Sequence, residues 1–316
     1  MTTTLSPNTS IYYWAIVFSS STSGPVNTVT EIHTLSDLAQ FGTGVLTTSC
    51  QVLLRYGAKA LAVRYEDAPD FSLLSATPSD KQPIVAILPG SIDHVEAFIS
   101  ACTERKILGI VDFIGNTNDL IAARNSNGPF GTKSIYLGIT FPAITNGLTV
   151  EFLSAHLGSL ICQSVQLDYP INAQPIKMAS GVTVAVPPEL QSTLVSKGVI
   201  TVNWPNYILY GFANSSFNGE INQDVPIKRA VIEQLIRKDV SQFLVSRVGT
   251  PVSLAMARSY ASELNVYLAS RTDISGGFVT LDEAASTFTD TTAHLVYHIN
   301  VTLPTGTTLT FELTYD

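Results

Sequence analysis

The chain has 316 residues, a formal net charge of −8, and only 13% charged residues against 45% hydrophobic ones. That length and apolar content predict one large or two modest domains with a full core, and exclude disorder. An acidic chain lacks the positive surface that non-specific nucleic-acid binding needs to displace counterions, so no nucleic-acid partner is expected. The charged fraction is about half the usual share for a soluble domain. Such a surface belongs either to a protein that buries itself against copies or partners, or to a Thr-rich β-containing domain. The charge is uneven. Residues 221–275 carry seven basic side chains (Lys228, Arg229, Arg237, Lys238, Arg247, Arg258, Arg271) and five acids, a balance of +2 that leaves −10 elsewhere.

Residues 1–10 are polar. The apolar run Ile11–Phe18 is too short to cross a membrane and has no basic residue before it, so a strand is expected, with neither leader nor membrane insertion. A loop follows over Ser19–Pro25, then a short helix over "TLSDLAQFG", capped by Thr34 or Ser36. Val45–Tyr56 reads as a helix closed by Gly57, and Lys59–Glu66 as a strand. Beyond a Pro/Ser/Asp-rich linker, strands at Ile84–Leu88, Ile107–Gly115 and Ser134–Thr140 alternate with helices at Ser91–Lys106, "TNDLIAARN" and Val150–Cys162. Successive β-α-β crossovers predict a parallel sheet covered on both faces. Pro187–Gly198 is a helix with Pro at its start and Gly at its end. Residues 199–218 read as strands around a Trp-Pro turn. Helices are expected over Ile227–Val248 and Val252–Ser270, and the alternating "AHLVYHINVTLP" and "TLTFELTYD" close the chain as strands.

Motifs that carry chemistry are sparse. "GTGVLT" (Gly42–Thr47) follows a helix and lacks the third glycine of a dinucleotide loop, and "GPFGTK" lacks P-loop spacing. His94 and Glu96 form half of a zinc-deaminase signature whose P-C-x-x-C half is missing. His294 and His298 lie in a strand pattern, which sets them roughly 13 Å apart, too far for one metal. Cys50, Cys102 and Cys162 are widely spaced, forming neither a disulfide framework nor a zinc site, and read as buried thiols in a reducing compartment. No cofactor or metal is expected. Asp112, ending a buried parallel strand, is the best single catalytic candidate, though a strand-end Asp also serves to cap a neighbouring turn.

Three stretches carry a family likeness: "PIVAILPGSIDHVEAFISACTERKILGIVDFIG" (Pro83–Gly115), "VSKGVITVNWPNYILYGFANSS" (Val195–Ser216, with Tyr210-Gly211) and "VPIKRAVIEQLIRKDV" (Val225–Val240). In type and order they resemble contractile tail sheath proteins over roughly residues 83–316. The sequence departs from that pattern at Phe212-Ala213-Asn214, where the family carries Arg-Thr, and is short for the family, as if lacking an outer decorating domain. The resemblance implies a structural subunit that stacks as hexameric rings around a tail tube. It would meet baseplate and tail terminator proteins, and contract to drive the tube through an envelope. It would be found in a virion tail assembled in the host cytoplasm.

The expected fold class is α/β (α+β). A 1–20 arm and strand precede an α/β domain over 21–198. A 199–316 inner domain follows, with two long helices and a terminal strand arm at about 305–316. Candidate tube-facing residues lie on the polar side of the basic helix: Lys228, Arg229, Gln234, Arg237, Lys238, Ser241 and Gln242. Ile232, Leu235, Ile236, Val240 and Phe243 form its apolar side. Candidate intersubunit strands present Ile11, Tyr13, Ala15 and Val17 at one end and Leu309, Phe311, Leu313 and Tyr315 at the other, either added to a neighbour's sheet or held in the chain's own. The readings kept beside this one are a small α/β enzyme built on Asp112 and another virion tail structural protein.

Overall fold

The structure, a computed structural model, describes residues 14–77, 81–134, 136–163, 174–203, 208–211, 228–245, 252–289, 292–303 and 308–315. The chain forms two compact units, and the main division falls between Val231 and Ile232.

The larger unit contains β1 (Trp14–Ser19), β2 (Val29–Ile32), α1 (Val45–Arg55), β3 (Lys59–Arg64), β4 (Pro83–Leu88), α2 (Val95–Arg105), β5 (Leu108–Asp112) and α3 (Thr117–Arg124). It continues through β6 (Leu137–Thr140), β7 (Ile144–Asn146), β8 (Thr149–Glu151), α4 (Leu153–Gln163), β9 (Gly181–Val182), α5 (Pro188–Ser196), β10 (Val199–Asn203) and β11 (Ile208–Tyr210). An eight-stranded sheet runs in the order β11-β10-β6-β5-β4-β1-β3-β2. Strands from β10 to β3 are parallel, and antiparallel β11 and β2 close the two edges.

Strands covered on both faces must be apolar throughout, which is why β1 and β4 are buried at every residue. Ile16, Phe18, Leu61, Leu88 and Val111 point to one face, where Val95, Phe98 and Cys102 of α2, Leu120 of α3 and Leu194 of α5 meet them. Helices α1 and α4 pack on the other face. Glycine sets the spacing on both. A Cβ on Gly109 of β5 would stand 2.8 Å from Cys102 Sγ, and one on Gly158 of α4 would stand 2.5 Å from Ile87 Cδ1. The three cysteines are buried free thiols. A small sheet, β8-β7-β9, completes this unit.

The second unit holds α6 (Lys228–Val245) from Ile232 onward, α7 (Leu254–Ser270), β12 (Gly276–Leu281), β13 (Thr287–Phe288), β14 (Ala293–Thr302) and β15 (Thr308–Tyr315). Its antiparallel sheet has β14 at the centre, with β12 and β13 on one side and β15 on the other. The predicted apolar side of α6 is buried at all five positions. Ser253 caps α7 by accepting from Met256 N.

The structure departs from the sequence expectations at several points. The N-terminal strand is an interior strand, paired with β3 and β4 at once, so Ala15 and Val17 are fully buried in the chain's own sheet and have no edge to offer a neighbour. Ile11 and Tyr13 lie outside the described residues. The large sheet does not end at 198, because β10 pairs with β6 and carries β11 beyond it. The helix expected from Val150 begins at Leu153, with Gly147-Leu148 turning the β7–β8 hairpin just before it.

Candidate functional site

Asp112 ends β5 as expected, and the carboxylate is buried and fully engaged. Thr140 Oγ1 (2.7 Å) and Ser154 N (3.0 Å) donate to Oδ1, and Ser154 Oγ donates to Oδ2. It anchors the first turn of α4, where a helix leaves N–H groups without partners. Burial raises its pKa to about 6, against the pull of these hydrogen bonds. In open α/β sheets ligands occupy the crevice at the strand ends where the strand order reverses, here between β1 and β4. At that end of β4 the Phe152 ring lies against Gly90. A hollow of about 380 Å³, lined by His33, Leu35, Leu54, Gly57 and Lys59 among others, opens at the opposite, N-terminal end of β3. Asp112 therefore acts as a structural anchor.

A second polar cluster joins α1, β8 and α4. Arg55 binds Glu151 through two bonds of 2.8 and 2.7 Å. His156 Nε2 stands 3.0 Å from Glu151 Oε2, and its Nδ1 is 3.1 Å from Tyr56 Oη, which accepts from Lys177 N at 2.8 Å. Burial tends to raise the Glu151 pKa, but Arg55, His156 and Asn146 together hold it far below the carboxylate range. Burial lowers the His156 pKa, so the ring is neutral. Tyr56 then donates to His156 Nδ1, and the Nε2–H lies beside the Glu151 carboxylate without completing a hydrogen bond.

The basic helix is less open than its sequence implies. Gln242 is exposed, whereas Arg229, Gln234, Arg237, Lys238 and Ser241 are half-buried. The Lys228 side chain lies outside the described residues. Two acids of α6 are buried beneath this surface. Glu233 accepts from Arg237 Nε at 2.9 Å, and Asp239 accepts from Tyr267 Oη at 2.5 Å and Arg271 Nη1 at 3.3 Å. Arg237 also donates to the Glu312 carbonyl at 2.7 Å, with its guanidinium 4.6 Å from the centre of the Phe311 ring.

In the second sheet the backbone alternates which edge it serves. The carbonyls of Val296 and Thr302 accept from Asp282 N and Ser275 N, both at 2.8 Å, so even-numbered residues of β14 face the β12 side. Odd-numbered ones face β15. With Ile299 opposite Phe311 and Val301 opposite Leu309, the odd residues of β15 bond to β14. Thr308, Thr310, Glu312 and Thr314 thus turn their backbone groups outward. Among the described residues no strand pairs with that outer edge. The opposite edge is capped at Val279: Asn265 of α7 donates to its carbonyl at 2.9 Å and accepts from its N at 2.8 Å, imitating a neighbouring strand. Nothing in the sequence singled out Asn265 beyond its being a polar residue in a helix interior. Leu309, Phe311 and Leu313 are buried within their own unit, and Tyr315 is half-buried. Of the expected terminal arms, the C-terminal one is therefore a strand of the chain's own sheet with one open edge.

No protein-family profile and no curated protein matches the chain. Solved structures do. A chain of the anti-feeding prophage baseplate superposes with a TM-score of 0.71 at 13% identity, covering 96% of this chain and 93% of that one. The contracted helical sheath of the same prophage gives 0.65 at 16% identity, over 88% and 85%. The sheath tail protein of Listeria innocua gives 0.66 at 10% identity, over 95% and 94%. The similarity runs through both units and nearly the whole of each chain: the protein has the fold of the contractile tail sheath proteins.

Proposed function

We propose that the chain is a structural subunit of a contractile tail sheath, one that polymerises around a tail tube and shortens to drive the tube through an envelope. The observation that carries this reading is the near end-to-end match to sheath chains. The fully engaged Asp112 supports a structural role over an α/β enzyme. Self-association into stacked hexameric rings, with contacts to tube, baseplate and terminator proteins in a virion tail or related injection machine, is part of the proposal.

The outer edge of β15 is the surface through which a neighbour's strand would join, since its outward N–H and C=O groups supply affinity along the main chain. The polar face of α6, from Lys228 and Arg229 through Gln234, Lys238, Ser241 and Gln242, is proposed to meet the tube. Exposed charge contacts are worth about 0–1 kcal/mol each, which suits a surface that must release on contraction.

Thr310→Pro tests strand addition. It removes an outward-facing N–H while leaving every backbone bond to β14 in place, losing only the Thr310 Oγ1 contact with Asn300 Oδ1 at 2.7 Å, and edge strands tolerate proline on that side. A folded variant that no longer sediments as polymer, beside a parent that does, supports the reading. A variant that polymerises like the parent refutes it.

A further inference from the structure

We propose that Arg237 is a displaceable plug on the outer edge of β15, holding the Glu312 carbonyl that an incoming strand from a second copy of the chain must bond. The inference rests on the strand-addition reading and assigns the residue that regulates it.

The geometry is that of a latch with two holds. Arg237 Nε is tied to Glu233 at 2.9 Å, and its guanidinium covers the Phe311 ring. Those contacts fix the side chain next to the sheet. The remaining contact, Nη1 to the Glu312 carbonyl at 2.7 Å, is made to a backbone acceptor at the outer edge. Because Glu312 is one of the outward-turned residues, this acceptor is the one an added strand would use. Arg237 can give it up without losing its charge partner, since Glu233 is bound through a different nitrogen. Its side chain is 24% exposed, so water can replace the lost contact on the guanidinium.

The comparison with the other edge sharpens the point. Asn265 occupies both the donor and the acceptor of Val279, and its amide nitrogen is also held by the Ala261 carbonyl at 2.8 Å. There both groups of one residue are capped by a short side chain anchored in its own helix. The β15 edge is guarded at one acceptor by a long side chain, and its exposed Thr308, Thr310 and Thr314 leave the remaining outward groups uncovered. An open strand edge invites indiscriminate pairing. A plug at a single acceptor raises the threshold for pairing without abolishing it.

The test is the critical concentration for polymerisation, measured by sedimentation of the purified full chain. Glu233→Gln/Arg237→Met removes the plug, keeps an apolar stem over Phe311, and removes both charges of the pair. Freeing one backbone acceptor from a competing hydrogen bond predicts a critical concentration about tenfold lower than the parent's. Arg237→Lys, which keeps a cation for Glu233 but lacks the planar fork that reaches both acceptors, is expected to fall between parent and double variant. It decides the question if the double variant does not fold. An unchanged or raised critical concentration in the folded variants, with Thr310→Pro still blocking assembly, overturns the plug and leaves strand addition standing. If Thr310→Pro assembles like the parent, strand addition falls and the plug with it.

Discussion

Arg55→Met probes how the β7–β8 hairpin is held to the helical layer. Arg55 is the cation that neutralises Glu151, whose side chain is only 2% exposed, through two bonds of 2.7 and 2.8 Å. Removing one partner of a buried ion pair costs about 3–5 kcal/mol, and the 20% exposure of Arg55 places this pair at the lower end, about 3 kcal/mol. For a unit of this size that is a fall of roughly 6–12 °C in melting temperature. The loss should depend on pH in a definite direction. In the parent, burial lowers the His156 pKa from 6.5, so its contribution is present above pH 6.5 and is lost as pH falls toward the depressed value. In the variant, the Arg55 charge that opposed protonation is gone and Glu151 needs a cation. His156, 3.0 Å away, takes the proton and raises its own pKa. Denaturant unfolding at pH 7.5 and 5.5 should therefore show the gap between parent and variant narrowing at the lower pH. A gap that is constant or widens would refute the assigned roles of Arg55 and His156.

Three further outcomes follow from the geometry. In Asp112, burial raises the folded-state pKa to about 6 from 3.8, so the stability it contributes is full below 3.8 and is lost as pH rises through 6. At about 1.4 kcal/mol per unit, the stability of Asp112→Asn relative to the parent should rise by up to about 3 kcal/mol between pH 4 and pH 7, read by urea titration. Gly109→Ala forces a methyl to 2.8 Å from Cys102 Sγ and 2.9 Å from Phe98 Cε1, and should cost about 1–3 kcal/mol in the same assay. Asn265→Ala exposes both backbone groups of Val279, and should cost about 1–3 kcal/mol and increase non-specific aggregation, measured by light scattering.

The sequence revealed most of the large sheet, because strands buried on both faces are written as unbroken apolar runs. The same rule bears on the N-terminal strand. Ile11–Phe18 is continuous, not alternating, which is the mark of an interior strand. Its place at the chain end drew attention to strand exchange, whereas Ala15 and Val17 pair on both sides. In Thr308–Tyr315 the alternation correctly indicates one buried face, but alternation reports faces and says nothing of edges. The open edge of β15 became visible only from the register. The hairpin at 144–151 was lost because its three-residue strands run into α4 and the helical period of α4 overlaps them. On α6 the basic count was right and its meaning incomplete: Glu233, four residues before Arg237, already offered the partner that draws Arg237 inward.

Electron microscopy of the purified full chain, examined over a series of rising concentrations, tests the central claim most directly. A sheath subunit should form hollow tubes or stacked rings with a regular helical repeat. Uniform small particles that never grow, at any concentration, would contradict it.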